Sequence, residues 1–313
     1  MKTVFITGAS GMIGLAVTEA LLEKGHKVIG TDTTPNSFVN QPNYSFVQAS
    51  IEDKSNISNV LNGSQIDVLV HLACSVDNDF PDVISSAEEK KSAAVDKYLY
   101  KTAIDAGVGD IILLSTHQVY AQQKTREPIR ETSDEKPATA YAKLKYESEK
   151  TLSKLIAKSV SAKGVIARVC PIYTKDFVDN LKAKIYDPNE GCSFIYGYGD
   201  YGYSFCCLYN LVDFISCLVN INPSTNYQGV YNVCDTKPIA AKDIVEFLRN
   251  GHKVGAVIQR SGGTGIKLNP FGAKGAKTDY RYNDLSVACA NISYDNTKAQ
   301  RIAAFRWKLS NTK

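Results

Sequence analysis

Three features of the chain predict an α/β protein built on a doubly wound parallel sheet. Seven short, nearly continuous apolar runs recur along it, helical patterns separate most of them, and a glycine-rich turn follows the first run directly. Runs that are apolar at almost every residue suit strands buried on both faces, and strands alternating with helices build a parallel sheet covered on both sides. Right-handed crossovers make the doubly wound order the economical topology.

The runs fall at residues 4–7, 27–31, 44–48, 67–73, 110–115, 165–169 and 229–234. After the first, Leu15, Val17, Thr18, Leu21 and Leu22 recur at helical spacing until Gly25 stops the pattern. Tyr98, Leu99, Thr102, Ala103 and Ala106 do the same before Gly107, and Leu144, Leu152, Leu155 and Ile156 mark an amphipathic helix that starts near Tyr141. Beyond about residue 172 the texture changes. Residues 187–204 are rich in Gly, Tyr and Asn, and 250–277 combine many glycines with Lys253, Arg260, Lys267, Lys274 and Lys277. Both stretches read as loops of a smaller, irregular lobe, with run 229–234 returning between them to the main sheet. The expected division is a larger domain over 1–172 plus 206–235 and a discontinuous C-terminal substrate lobe over 173–205 plus 236–313.

A chain of 313 residues with 44% hydrophobic content has ample material for a core, which excludes disordered and fibrous classes. Its net charge of +4 is too mild to argue for a nucleic-acid or membrane partner. Met1-Lys2 runs straight into the first strand, and no stretch approaches the roughly 18 apolar residues of a membrane span. A cytoplasmic protein is expected. The eight cysteines are scattered, and His26, His71, His117 and His252 form no cluster with them, so free thiols and no metal are expected.

The turn Gly8-Ala-Ser10-Gly11-Met12-Ile13-Gly14 lies between the first strand and the first helix. Glycine there allows a tight turn and close approach of a pyrophosphate, while the helix N-terminus supplies N–H donors. Asp32 ends the second strand, where a carboxylate accepts hydrogen bonds from adenine-ribose hydroxyls and repels a 2′-phosphate. Thr31, Thr33 and Thr34 supply no arginine, so NAD is favoured over NADP.

Tyr141 and Lys145 are four residues apart, on one helical face. A free phenol, with a pKa of about 10, is a poor base near neutrality. A neighbouring ammonium and an oxidised nicotinamide would both favour phenolate. The apolar run ending in Ser115-Thr116-His117 puts Thr116 at the carboxyl edge of the sheet, where doubly wound folds bind ligands. Together these residues describe hydride transfer at an alcohol or ketone carbon.

These motifs make the chain resemble an extended short-chain dehydrogenase/reductase of the nucleotide-sugar epimerase/dehydratase family, with a Rossmann fold. The likeness takes in the glycine motif, His71-Leu-Ala-Cys74, Ser115–Tyr120, Tyr141/Lys145, Arg168-Val-Cys-Pro-Ile-Tyr173, Gly229–Val233 and Arg281-Tyr-Asn-Asp284. It implies Tyr141 as base, Lys145 on the nicotinamide ribose, Thr116 on the sugar hydroxyl and Arg281 on a nucleotide diphosphate. It further implies NAD contacts from Thr33, Ser50, Ile51, Leu72, Ala73, Ser115 and Pro171, and a homodimer through helices at about 92–106 and 141–158.

Several positions depart from the family pattern. Ser50 stands where aspartate is usual, Ser92 for asparagine, Asn210 for aspartate, Tyr203 for a phosphate-binding arginine and Ala121 for glycine. His117 and Gln118 replace the Asp-Glu pair with which sugar 4,6-dehydratases eliminate water, which argues against that reaction. His117 is left either as an additional acid or base or as a hydrogen-bonding group, and His71 as structural. Tyr196, Tyr198, Tyr201 and Tyr203 suit either stacking on a base or sugar or packing within the small lobe. The expected function is an NAD-dependent epimerase of a nucleotide-linked sugar. The alternatives are a sugar or small-carbonyl reductase/dehydrogenase and, less favoured by the intact Thr/Tyr/Lys set, a non-catalytic NAD-binding protein.

Overall fold

All seven apolar runs form strands of one parallel sheet. The computed structural model describes residues 1–38, 40–74, 85–121, 127–187, 191–251, 254–255, 257–260 and 291–313. In chain order the sheet strands are β1 (Thr3–Thr7), β2 (Lys27–Asp32), β3 (Tyr44–Gln48), β4 (Val68–His71), β5 (Asp110–Thr116), β6 (Lys163–Val169) and, later, β12 (Gly229–Val233). Their spatial order is β12-β6-β5-β4-β1-β2-β3, with parallel pairing throughout. This is the doubly wound, Rossmann-like arrangement that the apolar runs predict.

The connecting helices are α1 (Met12–Glu23), α2 (Lys54–Gly63), α3 (Ser86–Asp105), α4 (Ala140–Ile156) and α6 (Leu208–Val219). Alternation along β1 divides the core. Val4 and Ile6 join Val17, Leu21, Phe214 and Leu218 on one face, whereas Phe5 joins Leu69, Leu99, Ala103, Ile111 and Leu152 on the other. Each of these Val, Leu, Ile and Phe side chains contributes about 1.5–3 kcal/mol by leaving water. Helix α3 starts well before the periodicity at 98–106, because Ser85 and Glu88 close a reciprocal capping box at its first turn.

The smaller elements are β7 (Ile172–Tyr173), α5 (Asp179–Lys182), β8 (Tyr186–Asp187), β9 (Cys192–Tyr196), β10 (Gly202–Tyr203), β11 (Cys206–Cys207), β13 (Ile239–Ala240), α7 (Ala241–Gly251), β14 (Val257–Arg260) and α8 (Thr297–Gln300). Residues 187–204, expected as loop, therefore contain strand structure. β9 pairs with β8 and with β14, whose residues lie more than 60 positions away, and β10 pairs with β13. Glycine-flanked segments this short carry no local signal of such partners. Tyr173, Leu181, Tyr203, Phe205, Ile244 and Leu248 form a separate apolar cluster among these elements. Lys253, Lys267, Lys274, Lys277 and Arg281 lie outside the described residues. Among the described residues no helix is long and apolar enough to cross a membrane.

The first helix sits against the sheet through Gly14, where an added Cβ would lie 2.2 Å from the Gly8 carbonyl oxygen. The atoms it would meet are backbone of Gly8 and Ala9, which cannot give way. Gly14→Ala is expected to cost about 1–3 kcal/mol, whereas Gly63→Ala, with nothing within 4 Å of its Cβ, should stay within about 0.5 kcal/mol of wild type. Urea unfolding of the two variants checks the contrast.

Candidate active site

The strand order reverses between β1 and β4, and the crevice of a doubly wound sheet opens at such a point, outside the carboxyl ends of its strands. The turn after β1 is folded onto this edge. Gly8 has φ +74°, and the N–H groups of Gly8 and Ala9 donate to the Thr31 carbonyl at 3.0 and 3.2 Å. Ser10 N–H donates to Asp32 Oδ2 at 3.0 Å, and the Thr33 hydroxyl lies 3.4 Å from Oδ1. A Cβ on Gly8 would come within 2.9 Å of Ala73 N, so this turn also abuts the Leu72-Ala73 segment after β4. The Asp32 carbonyl accepts from Ala49 N–H at 2.9 Å, which brings the turn holding Ser50 and Ile51 alongside.

Gly11 differs from its neighbours. The nearest atom to a Cβ built there is the Gly8 oxygen at 3.5 Å, so protein packing does not demand glycine at this position. It is also the N-cap of α1, and no side chain caps the helix. Met12, Ile13 and Gly14 thus begin the helix with backbone N–H groups directed out of its end. An uncapped helix start, a missing side chain and a carboxylate at the end of β2 fit a dinucleotide with a free ribose 2′-hydroxyl.

The second group of residues is assembled by α4. Its N-cap, Thr139, accepts from Ala142 N–H at 3.1 Å, and the Thr139 hydroxyl donates to Gln118 Oε1 at 3.1 Å. The helix start is thereby tied to the 3₁₀ turn His117–Val119 that follows Thr116. Thr116 is buried at the end of β5, where its hydroxyl oxygen accepts from Gln118 N–H at 3.2 Å. Lys145 is 3% exposed, with Nζ 5.8 Å from the centre of the Tyr141 ring.

Burial disfavours the Lys145 ammonium, yet Cys74, Tyr141, Asp96 and Glu149 together outweigh it and raise the pKa. Burial raises the Tyr141 phenol, and Lys145 offsets only part of that rise. The lysine alone therefore does not deliver the lowered phenol expected from the helical spacing. The oxidised nicotinamide invoked beside it would have to supply the rest.

Behind the pair lies a buried polar network that the sequence reading missed. Glu149 Oε1 accepts from the Ser115 hydroxyl, and Arg168 clamps the same carboxylate through Nε at 3.1 and 3.2 Å and Nη2 at 2.6 Å. Arg168 also pairs with Glu135 and stacks 4.7 Å from the Tyr120 ring centre. Thr7 Oγ1 lies 2.7 Å from His71 Nδ1, and His71 Nε2 lies 3.3 Å from Asp96. Burial pushes the Asp96 carboxyl up, but His71 foremost, with Ser148 and Lys145, brings it below its ordinary value. His71 is thus held inside the fold between Thr7 and Asp96. The missed signals were helical spacings: Glu149 is one turn beyond Lys145, and Asp96 one turn beyond Ser92.

His117 is anchored by Nδ1 to the Val169 carbonyl at 3.1 Å and meets Tyr294 edge-on at 5.5 Å. A carbonyl only accepts, so the neutral ring carries its proton on Nδ1 and presents Nε2 as an acceptor. Burial, with a smaller contribution from Lys184, lowers its pKa to about 4. His117 shares a cleft with Pro171 and Tyr203.

Three of the departures, at 210, 203 and 50, have partners of their own in the fold. Asn210 donates to Asp235 at 2.7 Å and the Trp307 carbonyl at 2.8 Å, and accepts from Trp307 N–H at 2.9 Å. An aspartate at 210 would set a second carboxylate against Asp235. Tyr203 is buried, Tyr201 packs against it edge-on at 5.8 Å, Tyr196 packs on Tyr201, and Tyr198 is exposed. Packing thus accounts for three of the four tyrosines. Ser50 Oγ accepts from Glu52 N–H at 3.2 Å, closing its own turn.

Residues 4–234 match the NAD dependent epimerase/dehydratase family, and the chain belongs to it. A UDP-glucose 4-epimerase of Lacticaseibacillus casei is 27% identical over 154 residues, 48% of this chain and 46% of that protein. A decarboxylating sterol-4-alpha-carboxylate 3-dehydrogenase of Dictyostelium discoideum is 31% identical over 108 residues, 34% of this chain and 28% of that one. The chain thus spans about a quarter to a half of the length of these curated relatives. In fold it is similar to the UDP-Glc/GlcNAc 4-epimerase of Campylobacter jejuni, with a TM-score of 0.72, 18% identity and coverage of 98% of this chain and 94% of that one.

The His117 environment has a consequence for stability. Its folded pKa lies below the ordinary value of 6.5, so the unfolded chain binds more protons between those values. Stability is unaffected above about pH 6.5 and falls towards pH 4, by about 1–2 kcal/mol for a ring with some solvent contact. Urea unfolding at pH 7 and pH 5 should show a smaller pH effect in His117→Asn.

Proposed function

We propose that the chain is an NAD-dependent epimerase acting on a nucleotide-linked sugar through a transient keto intermediate. The observation that carries this reading is the buried Tyr141/Lys145 pair, one helical turn apart, with Lys145 kept charged by Cys74, Tyr141, Asp96 and Glu149. Tyr141 takes the proton from the substrate hydroxyl and later returns one, Lys145 stabilises the phenolate and holds a ribose hydroxyl, and Thr116 orients the same substrate oxygen. NAD, when bound, supplies the two-electron acceptor and donor. Gly8, Ser10, Gly11, Met12, Ile13 and Gly14 receive its pyrophosphate, Asp32 and Thr33 its adenine ribose, and Ser50, Ile51, Leu72, Ala73, Ser115 and Pro171 border it. His117, neutral with Nε2 as acceptor, takes a second sugar hydroxyl.

The division into a sheet domain and a substrate lobe over 173–205 plus 236–313, with Arg281 on the diphosphate, belongs to this proposal. So do a homodimer formed through α3 and α4 and a cytoplasmic location. A second reading, a net dehydrogenase, is favoured by the 31% identity to a sterol dehydrogenase.

Incubation with UDP- and dTDP-sugars separates the two readings. Epimerised product with no net change in NADH absorbance is expected; a stoichiometric rise with one equivalent of oxidised product identifies the dehydrogenase. Tyr141→Phe should lower turnover by about 10²–10⁴-fold with the unfolding curve unchanged, and undiminished turnover would remove Tyr141 as the base. Sedimentation at micromolar concentration should give a dimer; a clean monomer refutes that part.

A further inference from the structure

The small lobe holds a further cavity, of about 280 Å³, bordered by α5, β8, β9 and α7. It shares no lining residue with the cleft beside His117, and none of its lining residues is assigned to NAD or to the sugar. Its place follows from alternation along β9. Phe194 and Tyr196 meet edge-on at 5.5 Å, and Arg260 stacks 4.1 Å from the Phe194 ring centre, so these side chains occupy one face of the strand. Ser193 and Ile195 take the other face, Ile195 against the apolar cluster of the lobe and Ser193 at the cavity.

The lining sets the chemistry of what fits. Ile185 and Leu248, buried members of that cluster, make the inner wall, and the half-exposed ring of Tyr186 stands where the cavity opens. Two glycines widen it: Gly191 and Gly255 have nothing within 4 Å of an added Cβ. An apolar cavity of about 150 Å³ accepts a benzene ring, so this one has room for a fused ring pair.

The same lining disfavours an ion. Among the described lining residues none is a carboxylate, so a cation finds no partner. Lys182 is cationic, but its ammonium lies 4.0 Å from Asp179 and its side chain is 46% exposed, so it is already paired and solvated. An ion entering would lose its hydration without a matching countercharge. Ser193, itself buried, adds a hydroxyl to an otherwise apolar interior, and a single polar group of this kind fixes the orientation of an apolar ligand.

We propose that this cavity is a binding site for a small uncharged aromatic molecule, a fused ring with one hydrogen-bonding group directed at Ser193. The site is separate from the reacting centre, and it stands whether or not Tyr141 is the base.

Isothermal titration of the full chain with indole tests this. Wild type should bind one equivalent with a Kd of about 0.1–1 mM, the range for a ligand of this size. Ser193→Leu fills the cavity from β9, and Gly255→Val fills it from the segment after α7; each should weaken binding about tenfold or more. Ser193→Ala keeps the space and removes the hydroxyl, and should weaken binding about two- to tenfold. Melting temperatures show which variants fold, and the two filling variants lie on different segments, so either one decides. Saturating UDP or NAD should leave the affinity for indole unchanged. Any of three results overturns the proposal: no saturable binding to wild type, undiminished binding in a folded filling variant, or displacement of indole by UDP or NAD.

Discussion

The carboxylate of Glu149, 3% exposed, is held between α4 and the sheet by the Ser115 hydroxyl and by the guanidinium of Arg168. Three elements meet at this one group: the helix that carries Tyr141 and Lys145, the strand that ends in Thr116, and the neighbouring strand β6. Leaving such a charge without its partner costs about 3–5 kcal/mol. The helix therefore has little freedom to slide or rotate on the sheet. Thr116 follows Ser115 directly, and Lys145 sits one turn before Glu149, so the same contact sets the frame of every group assigned to the reaction.

Electrostatics follows from that packing. Lys145 is removed from water, and its charge survives because Cys74 and Tyr141, with Asp96 and Glu149, lie within range. Asp96 is in turn secured by His71, which the Thr7 hydroxyl holds from the first strand. The polar layer thus links the first strand, α3 and α4 beneath the crevice. The smaller cleft follows another principle. There the His117 imidazole is held by the Val169 carbonyl, and Lys184 lies over the Tyr203 ring.

Much of the sheet was legible because its strands are apolar at nearly every position and its helices repeat at a helical period. The glycine turn was equally clear: Gly8 and Gly14 are required by contacts within a few residues of the strand and by the adjoining Ala73. The small lobe was harder. β9 pairs with β14 more than 60 residues away, and β10 with β13, so composition alone presented them as glycine-rich loop. Asn210, a departure from the family pattern, finds its reason in Asp235 and Trp307, which approach it only after folding.

The sequence by itself determined the parallel α/β class, the position of the dinucleotide turn and the helical spacing of Tyr141 and Lys145, because periodicity and local backbone geometry act over a few residues. Only the tertiary structure decided the electrostatic state of those groups. Burial raises the phenol and opposes the ammonium, and the groups that answer it for Lys145 are Cys74 after β4, Tyr141 and Glu149 on α4, and Asp96 on α3. Desolvation and charge pairing depend on distance through space, which no spacing along the chain records.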